Sequence, residues 1–461
     1  MKPTPNYRSL FRLGAAALML TTTLPVVADA DTELLWDQPS TELPDWVRNQ
    51  TIYEINVRQY SEAGTLDAVT ADLDRIEDLG VRTLWLMPIH PIGKVNRKGE
   101  LGSYYSISDY MDINPEFGTR ADFKEFVDAA HSRGMRVILD WVGNHTAWDN
   151  PIAKSNPEYY MKDDDGNFIP PLGFDWTDVI QVDYNNPDLL KYQIKAMRYW
   201  IEEFGVDGYR CDYATGIPTP FWNKLSAALL KVKPDLFMLA EAEVADQQLK
   251  AFHASYGWPM MHAYNDVAQG KKPASWLDDV QTRMDLEFPA GSDFLLVTSN
   301  HDENSWNGTV FERLGGGVEV FAALSYVMDG IPLIYNGQEA GLDRRLEFFQ
   351  RDPIDWKAHR LFDVYKRLND LKTNHPALAT GADSVRIPST KDEQAYALLR
   401  KAGKKRVLLV ANLSAADIEF SIGSKYIKGN WKDAFSGEKV ILGNSGSFEL
   451  QSWKYQILVS D

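Results

Sequence analysis

Four acidic residues each end a short apolar run in this 461-residue chain, namely Asp140, Asp212, Glu241 and Asp302. Taken alone, any one of them could be explained as a solvated helix cap. Four such acids, with Arg210 among them, instead indicate a reaction centre, because carboxylates are rarely buried unless they are paired or catalytic.

Two kinds of hydrolysis use clustered carboxylates. Metal-dependent hydrolysis is disfavoured, because the eight histidines form no H-E-x-x-H or comparable pair that would hold zinc. Glycoside hydrolysis requires one ionised carboxylate and one protonated carboxyl group across the bond that is cleaved. A further carboxylate can stabilise the oxocarbenium-like transition state. The acids therefore favour a glycoside hydrolase.

A repeated helix–glycine–strand pattern explains how these acids would meet. In three segments a helical spacing of apolar residues ends at a glycine, Gly80, Gly134 or Gly205, and an apolar strand follows. Glycine suits the left-handed position after a helix, and strands that are apolar on both faces are typical of parallel sheets. Alternating units of this kind predict an α/β fold with a parallel sheet.

Eight candidate strands predict a (β/α)8 TIM barrel over residues 45–375. They lie at 51–57, 81–87, 135–141, 206–212, 236–240, 258–264, 294–299 and 332–335, with further helices at 219–231, 267–285, 317–329 and 356–373. The carboxyl ends of the strands of such a barrel form one rim, where active sites are found. The barrel would therefore bring the four acids together.

Two other segments differ from the barrel pattern. Residues 142–186, an inserted domain B after the third strand, are rich in Asp, Asn, Pro and aromatic residues, and so long a loop is usually functional. Its run 163–167 lacks the glutamate of a calcium-binding EF-hand, so we interpret it as a turn. Short strands between polar turns predict a C-terminal β-sandwich domain over residues 376–461.

The N-terminus predicts export. Residues 1–30 combine a basic start, Lys2, Arg8 and Arg12, with an apolar stretch and a cleavage site at Ala28-Asp29-Ala30, as in a secretory signal peptide. We expect a periplasmic or extracellular protein with no membrane anchor after cleavage. The net charge of −17 disfavours a nucleic-acid partner. The oligomeric state is left open.

The segments that carry the acids resemble the conserved regions of glycoside hydrolase family 13, the α-amylase family. The resemblance covers about residues 50–375, in the family's order. The matching runs are Asp140-x-x-x-Asn144-His145, Gly208-Tyr209-Arg210-x-Asp212, the Glu241 segment and Asn300-His301-Asp302, together with segments 52–58 and 105–119. It implies a bacterial, secreted, α-amylase-like enzyme that acts on an α-glucan.

The resemblance implies a role for each matching residue. Asp212 would be the nucleophile, Glu241 the acid and then the base, and Asp302 the group that binds ring hydroxyls in the transition state. Arg210 would keep Asp212 ionised, because a nearby cation lowers the pKa of a carboxyl group, whereas Glu241 would need a raised pKa. The substrate-binding residues would be Tyr105, which stacks on the ring, His145, Arg210 and His301.

The chain departs from the family pattern at three places. Ala242-Glu243 follows Glu241 where many members have an apolar residue and then Trp, but Glu241, at the strand end, is better placed than Glu243 to be the acid. Many members carry a Lys-His pair after the nucleophile, where this chain has Tyr213-Ala214-Thr215-Gly216, so acceptor contacts cannot be transferred. Asn144 matches a possible calcium ligand, but Gln181 stands where the family's aspartate would be. Calcium is therefore an open possibility, and no cofactor is assigned.

The resemblance predicts a retaining glycoside hydrolase that cleaves α-1,4-glucosidic bonds in starch, maltodextrin or maltooligosaccharides. An α-glucosidase or α-glucan transglycosylase on the same scaffold is one alternative, because a fold does not fix a function. A non-catalytic, glucan-binding homologue is another. Trp148, Trp176 and Trp306 could stack on sugars near the rim, although packing within a loop or the core explains each of them equally well.

Overall fold

The computed structural model describes residue 36 and residues 38–460. The predicted signal peptide, residues 1–30, lies outside the described residues. Within the described part of the chain, no helix combines the length and the apolar character needed to cross a membrane.

Eight parallel strands close into a barrel, which confirms the predicted fold. Neighbours in the chain are neighbours in the barrel, and the eighth strand pairs with the first. The strands are almost entirely buried, as their apolar sequences require. In chain order they are Ile52–Ile55, Thr83–Leu86, Arg136–Val142, Gly208–Asp212, Phe237–Ala240, Ala254–Tyr256, Asp293–Leu296 and Ile331–Tyr335.

Helices alternate with these strands. The helix before the third strand begins at a capping box, in which Thr119 and Asp122 exchange hydrogen bonds, and the helix before the fourth strand ends at Gly205, with φ of 77°. The longer helices are Leu66–Ala71, Leu73–Asp78, Arg120–Ser132, Pro187–Phe204, Thr219–Leu230, Trp258–Ala268, Trp276–Glu287, Val318–Val327 and Arg360–Asn374. Shorter ones are Val57–Tyr60, Pro151–Ser155 and Val310–Leu314.

The prediction of the sixth strand was wrong. Residues 258–264 lie in the helix Trp258–Ala268, and the sixth strand is the preceding segment Ala254–Tyr256. Pro259 occupies the first turn of this helix, where the missing N–H of proline removes no hydrogen bond. The predicted helix at 267–285 is likewise replaced by this helix and a separate one, Trp276–Glu287.

The insertion 142–186 is closed by a small antiparallel pair. The strands His145–Ala147 and Val179–Gln181 hydrogen-bond to each other near the two ends of the insertion. The run 163–167 is a turn, in which the Asp163 carboxylate accepts hydrogen bonds from the backbone N–H groups of Asp165 and Asn167. Both ends of the insertion therefore lie beside the end of the third barrel strand.

The C-terminal part consists of two antiparallel sheets. Apolar residues of both, including Leu408 and Phe420, form one buried cluster, as expected where sheets pack face to face. The larger sheet has the order Asp383–Ile387, Ala395–Ala402, Lys405–Asn412, Tyr455–Ser460, Gly429–Asp433 and Lys439–Leu442. The smaller sheet pairs Ile418–Gly423 with Ser445–Leu450. The predicted all-β C-terminal region is confirmed.

Candidate active site

One buried guanidinium group gathers three of the four predicted acids. Nη1 of Arg210 donates to both carboxylate oxygens of Asp140, at 2.9 and 3.1 Å, and to Oδ1 of Asp212, at 3.1 Å. Nη2 of Arg210 lies 2.8 Å from Oε2 of Glu241. The third, fourth and fifth strands thus deliver three carboxyl groups to one cation.

The alternation of side chains along the fourth strand explains this arrangement. Arg210 and Asp212 are two residues apart and therefore point to the same face of the strand. Cys211 points the other way and is buried in the apolar core. Burial raises the pKa of the Cys211 thiol well above its usual value, so the thiol is a packing group.

The charge balance at Asp212 differs from the expectation. Burial, followed by the Glu241 carboxylate, raises the pKa of Asp212 well above its usual value, and Arg210 only partly offsets this. Burial also raises the pKa of Asp140 to about 6 against the opposing effect of Arg210. Arg210 acts in the predicted direction, but one guanidinium cannot balance three carboxylates, so this cluster favours holding a proton.

A second group of polar side chains, which includes Asp302, surrounds His301. Nδ1 of His301 contacts Oε1 of Glu54, and Nε2 lies 2.8 Å from the Tyr105 hydroxyl and 3.3 Å from Oδ2 of Asp302. Burial lowers the pKa of His301, but the carboxylates of Asp302 and Glu54 outweigh burial and raise it well above its usual value. Although burial raises the pKa of Asp302, His301 lowers it overall. The pair is therefore an imidazolium beside a carboxylate.

Tyr105 joins the two groups. Its hydroxyl donates to Oδ2 of Asp140 at 3.3 Å, and its ring stacks on His301 with the centroids 5.5 Å apart. His145 lies at the start of the insertion, with its ring centroid 5.4 Å from that of Trp176. Burial lowers the pKa of His145 to about 4, so this imidazole is neutral at physiological pH.

Three further residues contact these groups and were not assigned from the sequence. Trp85 donates to Oδ2 of Asp140 at 3.2 Å, the Tyr256 hydroxyl accepts from Nε of Arg210 at 3.3 Å, and Glu54 contacts His301. Glu54 could have been found, because it is a lone acid within an apolar strand. Tyr256 was missed because the sixth strand was placed too late in the chain.

The possible calcium ligand Asn144 lies in a network of uncharged groups. Nε2 of Gln181 donates to the backbone oxygen of Asn144 at 2.9 Å, and to Oδ1 of Asn144 and the backbone oxygen of Val182, each at 3.2 Å. In the described residues, no three His, Cys, Asp or Glu side chains lie together in a group that could hold a metal. Calcium sites are built from oxygen ligands that include carboxylates. This donor set does not fit calcium.

Comparison with known proteins identifies the family. The family model described as the α-amylase catalytic domain matches residues 49–168 and 162–405. The chain belongs to the α-amylase family, glycoside hydrolase family 13. It is therefore an enzyme of the O-glycosyl hydrolase class, and the clustered carboxyl groups lie at the rim where a TIM barrel has its active site.

Solved structures of α-amylase-family members share this fold and length. A noncanonic maltogenic α-amylase from Thermotoga neapolitana is 29% identical with a TM-score of 0.82, and the match covers 90% of this chain and 99% of that chain. An α-amylase from Lactobacillus plantarum is 32% identical with a TM-score of 0.81 and the same coverage. Alpha-amylase 2 of Dictyoglomus thermophilum is 28% identical over 441 residues, 86% of this chain and 74% of that protein.

Proposed function

We propose that this α-amylase-family enzyme hydrolyses α-1,4-glucosidic bonds in maltooligosaccharides, maltodextrin and starch, with retention of the anomeric configuration. The observation that carries the proposal is the contact of Arg210 with both Asp212 and Glu241, because a retaining glycosidase needs two carboxyl groups close together. The relatives named as α-amylases and maltogenic α-amylases support the glucan substrate.

In the first step Asp212 attacks the anomeric carbon while Glu241 protonates the departing glycosidic oxygen. The bond from carbon to the leaving oxygen breaks, and an ester bond to Asp212 forms. The backbone N–H of Tyr213 donates to Oε2 of Glu241 at 2.8 Å and fixes this carboxyl group. This step requires a proton on Glu241 and an ionised Asp212.

In the second step Glu241 accepts a proton from water, whose oxygen attacks the same carbon and releases Asp212. Two displacements restore the original configuration. Asp302 and His301 bind ring hydroxyls of the glucosyl unit, the neutral His145 contributes a further hydrogen bond, and Tyr105 stacks on the ring. These groups act most strongly on the flattened, cationic ring of the transition state.

Product analysis tests this proposal. The enzyme is incubated separately with soluble starch, a maltooligosaccharide series, pullulan and trehalose, and the products are followed by chromatography and by proton NMR. We expect α-configured maltooligosaccharides as first products. A β-configured first product would contradict the retaining mechanism, glucose as sole product would indicate an α-glucosidase, and newly formed longer oligomers would indicate a transglycosylase.

The enzyme is also proposed to be exported. The basic start, apolar stretch and Ala28-Asp29-Ala30 site of residues 1–30 support this proposal. Fractionation of producing cells and N-terminal sequencing of the mature protein test it, and we expect a chain that begins at Asp31 in the periplasm or the medium. An uncleaved chain in the cytoplasm would contradict export.

A further inference from the structure

Three aromatic side chains form a cluster beside Glu241. Phe174 stacks on Trp176 with the ring centroids 4.1 Å apart and the planes at 12°. Tyr213 meets both rings edge-on, at centroid distances of 5.2 and 5.3 Å. Phe174 and Trp176 come from the insertion 142–186, and Tyr213 follows the fourth barrel strand. We name these three residues the aromatic corner.

The position of Tyr213 places the aromatic corner on one side of the scissile bond. Tyr213 directly follows Asp212, and its backbone N–H donates to Glu241. Its hydroxyl is also close to Glu241, because the Glu241 carboxylate is, after burial, the main cause of the raised pKa of Tyr213. In the proposed mechanism Glu241 protonates the departing oxygen, so a ring beside Glu241 lies beside the sugar that departs. The aromatic corner therefore belongs to the leaving-group side of the cleft.

The backbone of Tyr213 adopts a conformation that few non-glycine residues occupy. Its φ and ψ of 40° and 45° are left-handed, which is strained for a bulky residue. Two backbone hydrogen bonds to Glu241 hold it there. The Tyr213 N–H donates to the Glu241 carboxylate, and the Ala214 N–H donates, at 3.0 Å, to the backbone oxygen of Glu241. Strain of this kind persists at functional sites, which supports a role for the Tyr213 ring.

The exposed apolar surface of the aromatic corner is suited to binding a sugar ring. The Phe174 side chain is 43% exposed, although it is large and apolar. A flat aromatic ring offers only dispersion and CH–π contact, and the apolar face of a pyranose is a matching surface. An exposed aromatic face beside the acid of a glycosidase is therefore suited to a glucosyl unit.

A second group of aromatic side chains lies on the other side of the cleft, where Asp302 and Tyr105 would bind the glucosyl ring. Trp306, whose side chain is 47% exposed, packs on Phe348 at 5.2 Å, and Phe348 stacks with Tyr105 at 6.4 Å. Trp306 also forms a hydrogen bond with the Asp302 carboxylate. Exposed rings thus adjoin both the Glu241 side and the Asp302 side of the carboxyl groups, which suits a chain of sugars that extends in both directions.

We propose that the aromatic corner binds the glucosyl unit that departs with the leaving oxygen, by stacking on the apolar face of its ring. Tyr213 begins the run after the nucleophile in which many family members carry a Lys-His pair, so in this proposal stacking replaces polar contacts on this side. The same site receives the acceptor sugar when the glycosyl-enzyme ester is attacked by a sugar hydroxyl instead of water. This inference rests on the proposed hydrolytic function.

The test compares two substrates that transfer a glucosyl residue to Asp212 but differ in the leaving group. Maltopentaose loses a sugar, whereas α-maltotriosyl fluoride loses fluoride and places no sugar on the aromatic corner. The measured quantity is the ratio of kcat/KM for maltopentaose to kcat/KM for the fluoride. We expect this ratio to fall about tenfold in Phe174→Ala, the scale of one lost aromatic contact.

Two control variants make the comparison specific. Leu172→Ala removes a side chain that is 75% exposed on the same loop, and we expect it to leave the ratio unchanged. Trp306→Ala should lower kcat/KM for both substrates together, because Trp306 adjoins the Asp302 side, and it should change the ratio less than twofold.

Tyr213→Asn is a second test variant. It removes the Tyr213 ring from the aromatic corner and introduces a residue that tolerates left-handed backbone. It should lower the ratio as Phe174→Ala does.

The outcomes separate this inference from the proposed function. If the unmodified enzyme hydrolyses both substrates with retention but Phe174→Ala keeps the original ratio, the aromatic corner is not the leaving-group site. An equal loss on both substrates would also overturn the assignment. If the unmodified enzyme hydrolyses neither substrate, the proposed function fails first, and the role of the aromatic corner fails with it.

Discussion

At the scale of residues, the site brings three carboxyl groups into contact with a single buried guanidinium group. Among the described residues, Arg210 is the one cation that forms ion pairs with Asp140, Asp212 and Glu241, and its guanidinium group is fully buried. Burial makes each added negative charge costly unless it is paired. The function that we propose uses this cost, because a cluster that favours holding one proton contains both an acid and a nucleophile.

Replacement of Asp212 by Asn should separate catalysis from stability. The variant has no nucleophile, so hydrolysis of maltopentaose should fall by several orders of magnitude. Because the pKa of Asp212 is raised in the folded protein, its contribution to stability is present at low pH and is lost as pH rises through that pKa. At pH 7 the neutral Asn side chain should therefore give a melting temperature equal to or higher than that of the unmodified enzyme.

Activity assays and thermal unfolding followed by circular dichroism check both parts. Asp302→Asn serves as a comparison, because the pKa of Asp302 is lowered in the folded state, so its ionised form stabilises the fold. That variant should also lose activity, but its melting temperature at pH 7 should fall. Substantial hydrolysis by Asp212→Asn would contradict the assignment of the nucleophile.

Replacement of Glu54 by Gln should shift the titration of His301. The Glu54 carboxylate is one of two that raise the pKa of His301, and it lies on the first barrel strand with no exposed surface. Without it, the imidazolium should lose its proton at a lower pH. If protonated His301 binds the ring hydroxyls, the alkaline limb of kcat/KM should move to lower pH by the same amount.

Histidine NMR over a pH series, with His301→Gln to assign the signal, provides the measurement. A pH profile that stays in place while the NMR titration shifts would show that His301 does not act through its proton. An unchanged titration would contradict the contribution of Glu54.

At the scale of elements, the sequence was informative where the local signal was strong. Apolar runs after Gly80, Gly134 and Gly205 located three strands, because a buried parallel strand has few polar residues. The sixth strand is only the three residues Ala254–Tyr256, which include a serine, and the more apolar run that follows forms a helix. So short a strand forms because it pairs with the neighbouring strands of the barrel. A local sequence pattern does not predict that pairing.

The same contrast holds for the site. Asp212, Glu241 and Asp302 could be selected as candidates from their positions at strand ends. The contact between Glu54 and His301, which joins the first and seventh strands, depends on closure of the barrel and could not be read from spacing. The left-handed backbone of Tyr213 was equally hidden, because tyrosine has no preference for it.

A calcium chelator should not destabilise the insertion 142–186. Amide groups of Gln181 and Asn144 join its two ends by direct hydrogen bonds, and Gln181 Nε2 makes the contacts with oxygen atoms that a cation would otherwise make. We expect the melting temperature to be unchanged by a chelator or by added calcium. A chelator that lowers the melting temperature, with recovery on adding calcium, would contradict this prediction.

Gln181→Asp provides the matched variant. It replaces the amide donor with a carboxylate that faces the Asn144 oxygens, so the melting temperature should fall without calcium and rise when calcium is added. Isothermal titration calorimetry should detect calcium binding in this variant only. A variant that remains indifferent to calcium would show that the uncharged network is not what excludes the cation.

At the scale of the whole molecule, the two ends of the barrel have different tasks. The carboxyl ends of the strands carry the acids, whereas the C-terminal sheets are attached near the amino end of the eighth strand, Ile331–Tyr335. Arg400, on the strand Ala395–Ala402, is fully buried and donates to the backbone oxygen of Val327 at 3.1 Å and to Oδ1 of Asp329 at 2.9 Å. Residues at this end of a TIM barrel generally serve stability.

Replacement of Arg400 by Met should therefore lower stability without changing catalysis. Arg400 also donates, at 3.0 Å in each case, to the backbone oxygens of Ala379 and Ala382, so the variant removes the donor from three backbone oxygens and the ion pair from the Asp329 carboxylate. We expect a loss of about 3 kcal/mol in the free energy of unfolding, measured by urea denaturation. Arg400→Lys, which keeps the charge but cannot reach all four acceptors, should lose less. At 25 °C, kcat on maltopentaose should remain within twofold of the original value for both variants, and a parallel loss of kcat and stability would show that the two ends of the barrel are coupled.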